Sequence, residues 1–367
     1  MEINRLELIN FRNFGSEAAE FGPGLNLLIG SNGQGKTNLL EAVYAIGSGS
    51  SHRAGLNAAM IRQGENAAFL HGSGLVRART ISWDAEFPRG APARLMVDKN
   101  PARRSPSSQT LAAVHFSPED LDLVKGGPEQ RRHFLDEVSS RCRPAAKAAQ
   151  LEYEKTLRQR NRLLKEIRAN PRSAGQLDVW TLQLAAAGAR VAADRLRLVD
   201  EAAGLIEEHY RRLSGLRPAV VTEYSASWRQ GEVTTEGLQS SLHDALERAK
   251  GADIDRALTT MGPHRDDLYL AVGDLDARQF ASQGEQRTLS IALRLTEKDL
   301  VTAARNEKPV LLLDDVFSEL DQSRKGHVAE LVKDAGQTIA TSTSREGLDL
   351  SDASVLEICD GAIISRA

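Results

Sequence analysis

The sequence has little cysteine: Cys142 and Cys359 are the only two in 367 residues. They lie far apart and outside any metal-ligand spacing, which excludes a disulfide-built scaffold and fits a reducing, cytosolic compartment. Aromatic residues make up 5%, too few for base stacking to dominate any nucleic-acid contact. No apolar run approaches the ~20 residues that span a bilayer, so no membrane segment is expected. Met1-Glu2-Ile3-Asn4-Arg5 opens without the apolar core of a secretory signal, so none is expected. An excess of one charge is also missing: 47 Lys+Arg against 50 Asp+Glu give a net charge of -3. That argues against a uniformly basic nucleic-acid binder but is silent on how charge is distributed. What remains is ordinary for a soluble globular protein, 41% hydrophobic and 26% charged. The length exceeds the usual single domain, so two lobes or a domain with a large insertion are expected.

Residues 2–9 alternate as a half-buried strand, Phe11-Arg12-Asn13-Phe14 makes a turn, and Leu25 to Ile29 is a short buried strand bounded by glycines. A helical pattern runs from Asn38 to about Ile46. Residues 67–100 suggest β-hairpins, with Leu75 to Trp83 and Arg94 to Val97 strand-like and Asp98-Lys99-Asn100-Pro101 ending the second. From about Pro118 to Leu213 the chain is rich in helix formers. Asn170-Pro171 breaks it, since proline disfavours helical geometry in the residue before it. Two helices at about 144–169 and 174–213 follow, the first ~40 Å long at ~1.5 Å per residue, packed most simply as an antiparallel arm. After Thr259 the αβ alternation returns: strands at Leu268–Val272, Val310–Leu313, Thr338–Thr341 and Val355–Ile358, and a helix from Gln283 to about Ala304. The expected division is 1–118 with 257–367 as an α/β lobe and 119–256 as an inserted, mainly α-helical lobe.

Gly30-Ser31-Asn32-Gly33-Gln34-Gly35-Lys36-Thr37 follows an apolar strand and opens a helix, the context of a phosphate-binding loop. Its glycines let backbone N–H groups wrap a phosphate, and the helix N-terminus favours the negative charge. Lys36 would reach the β/γ-phosphates and the Thr37 hydroxyl would bind Mg²⁺; Asn38 continues the loop into the helix. In Val310-Leu311-Leu312-Leu313-Asp314-Asp315, four apolar residues bury a strand and Asp314 emerges at its C-terminal end, where open α/β sheets bind ligands. Asp314 would hold Mg²⁺, and Asp315 would orient or deprotonate the attacking water. Ser282-Gln283-Gly284-Glu285-Gln286 precedes a helix 32 residues ahead of Asp314; Ser282 and Glu285 also have the spacing of a capping box, so a purely structural helix start stays open.

A phosphate loop, then Ser282-Gln283-Gly284-Glu285-Gln286, then an apolar strand ending in two acids resembles the ABC-type ATPases. Ser318-Glu319-Leu320-Asp321 is similar to their D-loop. The resemblance implies an ABC-ATPase-like P-loop lobe, a mixed sheet with β-hairpins, that binds ATP and Mg²⁺. It further implies an ATP-sandwiched dimer, in which Ser282, Gln283, Gly284 and Glu285 of one copy meet the nucleotide held by the other. Lys36, Asp315 and Ser282 are then the catalytic candidates. Asn10 to Phe14, Ser51-His52-Arg53, Phe116 to Leu121, Gly262-Pro263-His264-Arg265-Asp266-Asp267 and Leu312 to Asp321 narrow the resemblance to the RecF-type recombination mediators. These are similar to the heads of chromosome-organising and break-repair ATPases. The 244 residues between Thr37 and Ser282 hold a short arm but no long coiled coil. The resemblance implies binding to single-strand gaps and cooperation with RecR and RecO in loading recombinase. In related repair heads the arginine matching Arg12 contacts nucleotide phosphates; a surface turn arginine is the alternative. His52-Arg53 and His264-Arg265 suit nucleotide or interlobe contacts, or structural salt bridges. Two departures matter. Asp315 stands where a glutamate is usual, so slow hydrolysis is expected, and Thr341-Ser342-Thr343 occupies the place of a switch histidine, so any γ-phosphate sensing there would be by hydroxyl. His115-Phe116-Ser117-Pro118 begins the Q-loop position but lacks the glutamine.

Residues 141–172 carry ten basic side chains and three acids, net +7, and residues 77–104 seven and three, net +4. Such clusters are the footprint of a phosphate-backbone reader of duplex or junction DNA, or else a solvated helix face and a charge-protected hairpin edge. Two other functions share part of the pattern. A transporter's nucleotide-binding subunit should have a compact helical subdomain between phosphate loop and signature, and a small-molecule kinase should not dimerise with ATP.

Overall fold

The computed structural model of the chain describes residues 1–51, 53, 57–102, 109–170, 175–215, 219–315, 335–343 and 353–366. The chain opens with β1 (Glu2–Phe11), β2 (Phe14–Glu20), β3 (Leu25–Ile29) and α1 (Lys36–Ser48). Next come β4 (Ala67–Val76), β5 (Arg79–Pro88), β6 (Arg94–Val97), β7 (Asn100–Pro101) and β8 (Ala113–Phe116). The middle holds α2 (Asp122–Lys125), α3 (Pro128–Cys142), α4 (Pro144–Ala169), α5 (Leu177–Ser214), β9 (Val220–Ser225) and α6 (Thr235–Arg256). Then follow β10 (Asp267–Val272), β11 (Leu275–Asp276), α7 (Ala277–Phe280), α8 (Gln283–Arg305), β12 (Val310–Leu313), β13 (Thr338–Ser342), β14 (Ser354–Cys359) and β15 (Ala362–Arg366). This is the expected α/β fold with β-hairpins and an inserted, mainly helical segment. By packing the chain forms two compact units, Met1–Asp120 with Glu297–Ala367, and Leu121–Thr296. The sequence-based division put the second boundary at 256. Packing puts it 40 residues later, because β10 pairs with β9 and residues 262–267 are bound into the helices.

Among the described residues, two six-stranded sheets build the first unit. One is an antiparallel meander in the order β2-β1-β4-β5-β6-β7. The other has the order β15-β14-β3-β13-β12-β8 and is parallel apart from β15. Val310 to Leu313 are at most 2% exposed and paired on both edges, which is why β12 reads as an unbroken apolar run. Leu39, Leu40 and Val43 of α1 join Leu6, Leu8, Phe11, Trp83 and Phe87 in one core cluster. One strand expectation fails. The stretch Leu75 to Trp83 is cut by a two-residue turn in which Arg77 and Ala78 have φ of 49° and 59°. Such turns favour Asn and Gly, so Arg-Ala gave no turn signal.

In the second unit α4 and α5 run antiparallel. From the cap residue Arg143 along α4 through Glu152, Arg160 and Leu163, the partners on α5 recede through Glu201, Arg190, Thr181 and Leu177. Asn170 has extended geometry (φ −145°, ψ 100°), as the following proline demands. The three-stranded antiparallel sheet β11-β10-β9 was not foreseen beyond β10, since β9 is short and its pattern weak. Among the described residues, no helix is long and apolar enough to cross a membrane.

Candidate functional site

The loop from Gly30 to Thr37 leaves central strand β3 and enters α1, and two of its glycines are dictated by space. A Cβ on Gly30 would stand 2.3 Å from the Ile358 carbonyl oxygen, and one on Gly35 2.7 Å from Asn13 Nδ2. Gly35 also has φ +119°, a conformation that only glycine adopts cheaply. Asn13 is the strut beneath: its Nδ2 donates to the Gln34 carbonyl at 2.9 Å, and its Oδ1 accepts from Asn38 Nδ2 at 2.8 Å. α1 starts with no side-chain cap and no acid in its first turn, so its leading N–H groups suit an anion. Ser31, Asn32 and Gly33 are exposed at the loop's tip.

Lys36 is 9% exposed and its Nζ donates to the carbonyls of Gly30 (2.7 Å) and Ser31 (3.0 Å). Burial lowers its pKa, and Asp315 and Asp314 act in the opposite sense. Thr37 Oγ1 donates to Asp314 Oδ1 at 3.0 Å across 277 residues of sequence. Asp314 is 8% exposed at the end of β12. Burial raises its pKa, opposed by hydrogen bonds from Thr341 and Thr37. Thr341 Oγ1 donates to the same Oδ1 at 2.9 Å and accepts from the Asp315 N–H at 2.8 Å. Two hydroxyls and a carboxylate thus meet at the end of β12, within electrostatic reach of the ammonium. An oxygen-rich set of this kind, with glycines leaving backbone open beside it, fits Mg²⁺ and a polyphosphate.

Arg12 has φ +53° and its guanidinium grips Glu41 with two bonds of 2.7 Å. Glu41 is fully buried on α1, one turn after Thr37, and also accepts from Ser51 Oγ. Glu41 was missed in the sequence; its signal is an acid at the end of the apolar run Leu39-Leu40, four residues after Thr37 on the same helix face. Arg53 Nη1 reaches Asn38 Oδ1 at 3.4 Å, while His52 lies outside the described residues. So does the D-loop, Ser318 to Asp321.

The signature run lies in the other unit. Ser282 N–H and Oγ donate to Glu285 Oε2 at 2.8 and 2.7 Å, and the Glu285 N–H returns to Ser282 Oγ at 3.3 Å. This is the capping box, and these bonds from Ser282 lower the Glu285 pKa. Ser282 and Gln283 are nonetheless exposed. A cap and an outward-facing hydroxyl coexist here.

Residues 262–267 are structural in the second unit. His264 bonds Tyr153 Oη (2.6 Å) and the Thr259 carbonyl (3.0 Å), and burial pushes its pKa down to about 4. Asp266 accepts from Tyr224 Oη (2.5 Å) and Trp228 Nε1 (2.8 Å), and Asp267 takes two bonds of 2.8 Å from Arg131. Both ring nitrogens of His264 are therefore engaged inside the unit, while Arg265 is exposed. The basic segment 141–172 also divides. Arg160 is fully buried, donating to Asp253 (2.7 Å) and Thr259 (2.8 Å), and Arg143 holds Glu201 at 2.9 Å. A surface spanning all ten basic residues is thereby corrected to the exposed set Lys155, Arg158, Arg162, Lys165 and Arg168, whose spacings of three and four put them on one helix face. Arg172, like Arg103 and Arg104, lies outside the described residues.

The profile of the RecF/RecN/SMC N terminal domain family matches residues 2–358. The DNA replication and repair protein RecF of Acidothermus cellulolyticus is 41% identical over 357 residues, 94% of this chain and 95% of the relative. Two solved structures of the recombination mediator protein RecF in the RecFOR pathway, RecF-ATPrS and RecF-ATP, superpose with TM-scores of 0.92 and 0.90 at 29% identity. They cover 100% of this chain and 98% and 97% of theirs. A phosphate loop braced by Asn13, an acid pair at the end of β12 and these full-length likenesses together make the chain a member of the RecF/RecN/SMC N terminal domain family, on its RecF branch.

Proposed function

We propose that the chain is an ATP-dependent, DNA-binding recombination mediator that uses nucleotide as a conformational switch. The single observation that carries the reading is the Thr37–Asp314 bond of 3.0 Å, which joins the two motifs that hold Mg²⁺ in phosphate-loop ATPases. Thr37 and Asp314 hold Mg²⁺, which when bound neutralises charge on the phosphates. The loop amides from Gly30 to Thr37, with Asn38 and Arg12 nearby, grip the phosphates, and Lys36 leaves its carbonyls to pair with them. Asp315 orients or deprotonates the attacking water. Its side chain is one methylene shorter than glutamate, so hydrolysis is slow.

Ser282, with Gln283, Gly284 and Glu285, meets the nucleotide of a second copy. ATP then favours the closed dimer by binding that state more tightly. Closure assembles a surface from the exposed basic face of α4 that reads the phosphate backbone at single-strand gaps or single-strand/duplex junctions in the cytoplasm. The RecFOR pathway named for the solved relatives supports RecR and RecO as protein partners. A transporter subunit is not favoured, since the full-length relative is a replication and repair protein. Ser282→Arg tests the sandwich: nucleotide binding should persist while ATP-induced dimerisation is lost. A surviving ATP-induced dimer in sedimentation velocity sinks the trans contact.

A further inference from the structure

Thr341 takes the place at the end of β13 where a γ-phosphate sensor would be sought, yet its hydroxyl is already engaged. β12 and β13 are parallel with Leu313 beside Ala340, so the next residues along, Asp314 and Thr341, emerge together at the top of the sheet. Thr341 is 1% exposed. A hydroxyl has one proton, and that proton goes to Asp314 Oδ1 at 2.9 Å. One of its lone pairs accepts the N–H of Asp315 at 2.8 Å. Asp315 has φ +51°, a left-handed backbone that is costly for a non-glycine residue and persists only where neighbours hold it. This one hydroxyl, bonded to both acids, therefore fixes the carboxylate of one and the backbone of the other.

We infer that Thr341 is a positioning residue, one hydroxyl that locks the geometry of Asp314 to that of Asp315, rather than a sensor that donates to phosphate. This rests on the proposed roles of Asp314 and Asp315 at the ATP site. Loss of the hydroxyl frees the Asp314 carboxylate to rotate away from Thr37 and removes one hydrogen bond that holds the backbone at Asp315. Both acids are then misplaced by one substitution, because the Thr341 hydroxyl is bonded to each of them. Thr37 still holds Asp314 Oδ1, so the metal site should weaken rather than vanish.

The test uses the full chain and a fluorescent ATP analogue, with affinity measured with and without Mg²⁺ and folding followed by thermal denaturation. Thr341→Val keeps the shape and removes both bonds; Thr341→Ser keeps the hydroxyl. In Thr341→Val the affinity without Mg²⁺ should stay within about twofold, while the tightening that Mg²⁺ brings should fall roughly tenfold, the usual cost of losing a partner behind a metal ligand. Thr341→Ser should restore that tightening. A folded Thr341→Val protein that keeps the wild-type Mg²⁺ effect overturns the inference. If the valine variant does not fold, Thr341→Ala against Thr341→Ser makes the same comparison, and equal Mg²⁺ effects in the two overturn it. A uniform loss of affinity with and without Mg²⁺ points instead to direct phosphate contact and also overturns it. Asp314→Asn is the reference for the underlying reading: it should abolish the Mg²⁺ effect. If it does not, the assignment of Asp314 as metal ligand fails, and the role given to Thr341 falls with it.

Discussion

The phosphate loop and the 262–267 segment are both dense in polar side chains, and they spend them differently. Around the loop, an exposed uncharged tip lies above two buried charges held by neutral partners. Lys36 rests on two carbonyls, Ser31 and Asn32 are exposed, and Asp314 gathers two hydroxyls. In the second unit, Arg131, Arg160 and Arg195 are each at most 5% exposed and bound to Asp267, Asp253 and Asp136. Here opposite charges close on one another and build the helical unit. The Lys36 ammonium is held by neutral carbonyls, which a ligand anion can replace, whereas each arginine of the second group is closed on a carboxylate whose loss would leave an unpaired buried charge.

Substitutions should separate the two regions. The largest effect belongs to Arg160→Ala, which strands Asp253 in the core. It should cost about 3–5 kcal/mol in denaturant unfolding while leaving the nucleotide affinity of the folded protein unchanged. A loss under 1 kcal/mol would mean that this pair is not structural. Next comes His264. Its folded pKa of about 4 lies below the ordinary 6.5, so the unfolded chain takes up the proton first. The stability it contributes is complete above pH 6.5 and is lost as pH falls from there towards 4. The swing is on the order of 3 kcal/mol. His264→Gln should flatten that dependence, and an unaltered slope would exclude His264 as its source. The smallest effect on folding belongs to Arg158, Arg162 and Lys165. Neutralising all three should change stability by no more than about 0.5 kcal/mol, yet reduce the salt slope of gapped-DNA affinity by about 2–3 units, at 0.9 per phosphate contact. An unchanged slope would place the DNA elsewhere.

Period and punctuation carried much of the fold in the sequence. Leu25–Ile29, Val310–Leu313 and the helix ending before Asn170 stand where patterning put them. The hairpin turn at Arg77-Ala78 and strand β9 did not, because neither carries the residues that usually mark such features. The phosphate loop was legible because glycine is required there by space. Arg158 and Arg160 show the limit. Two residues apart on one helix, they point to opposite sides, one exposed and one fully buried. Only the antiparallel packing of α5 and the position of Asp253 decide which of them is free to meet a ligand. Glu41 was hidden for a related reason, since its bonds go to Arg12 and Ser51, and the place of Thr341 was legible while its bonds to Asp314 and Asp315 were not.

Sedimentation velocity of the full chain in Mg²⁺ with ATP, with ADP and without nucleotide tests the central claim most directly. A dimer that forms with ATP alone, and that Lys36→Ala abolishes, is the expected result. The same oligomeric state under all three conditions, or an ATP-induced dimer that survives Lys36→Ala, would contradict a nucleotide-driven switch.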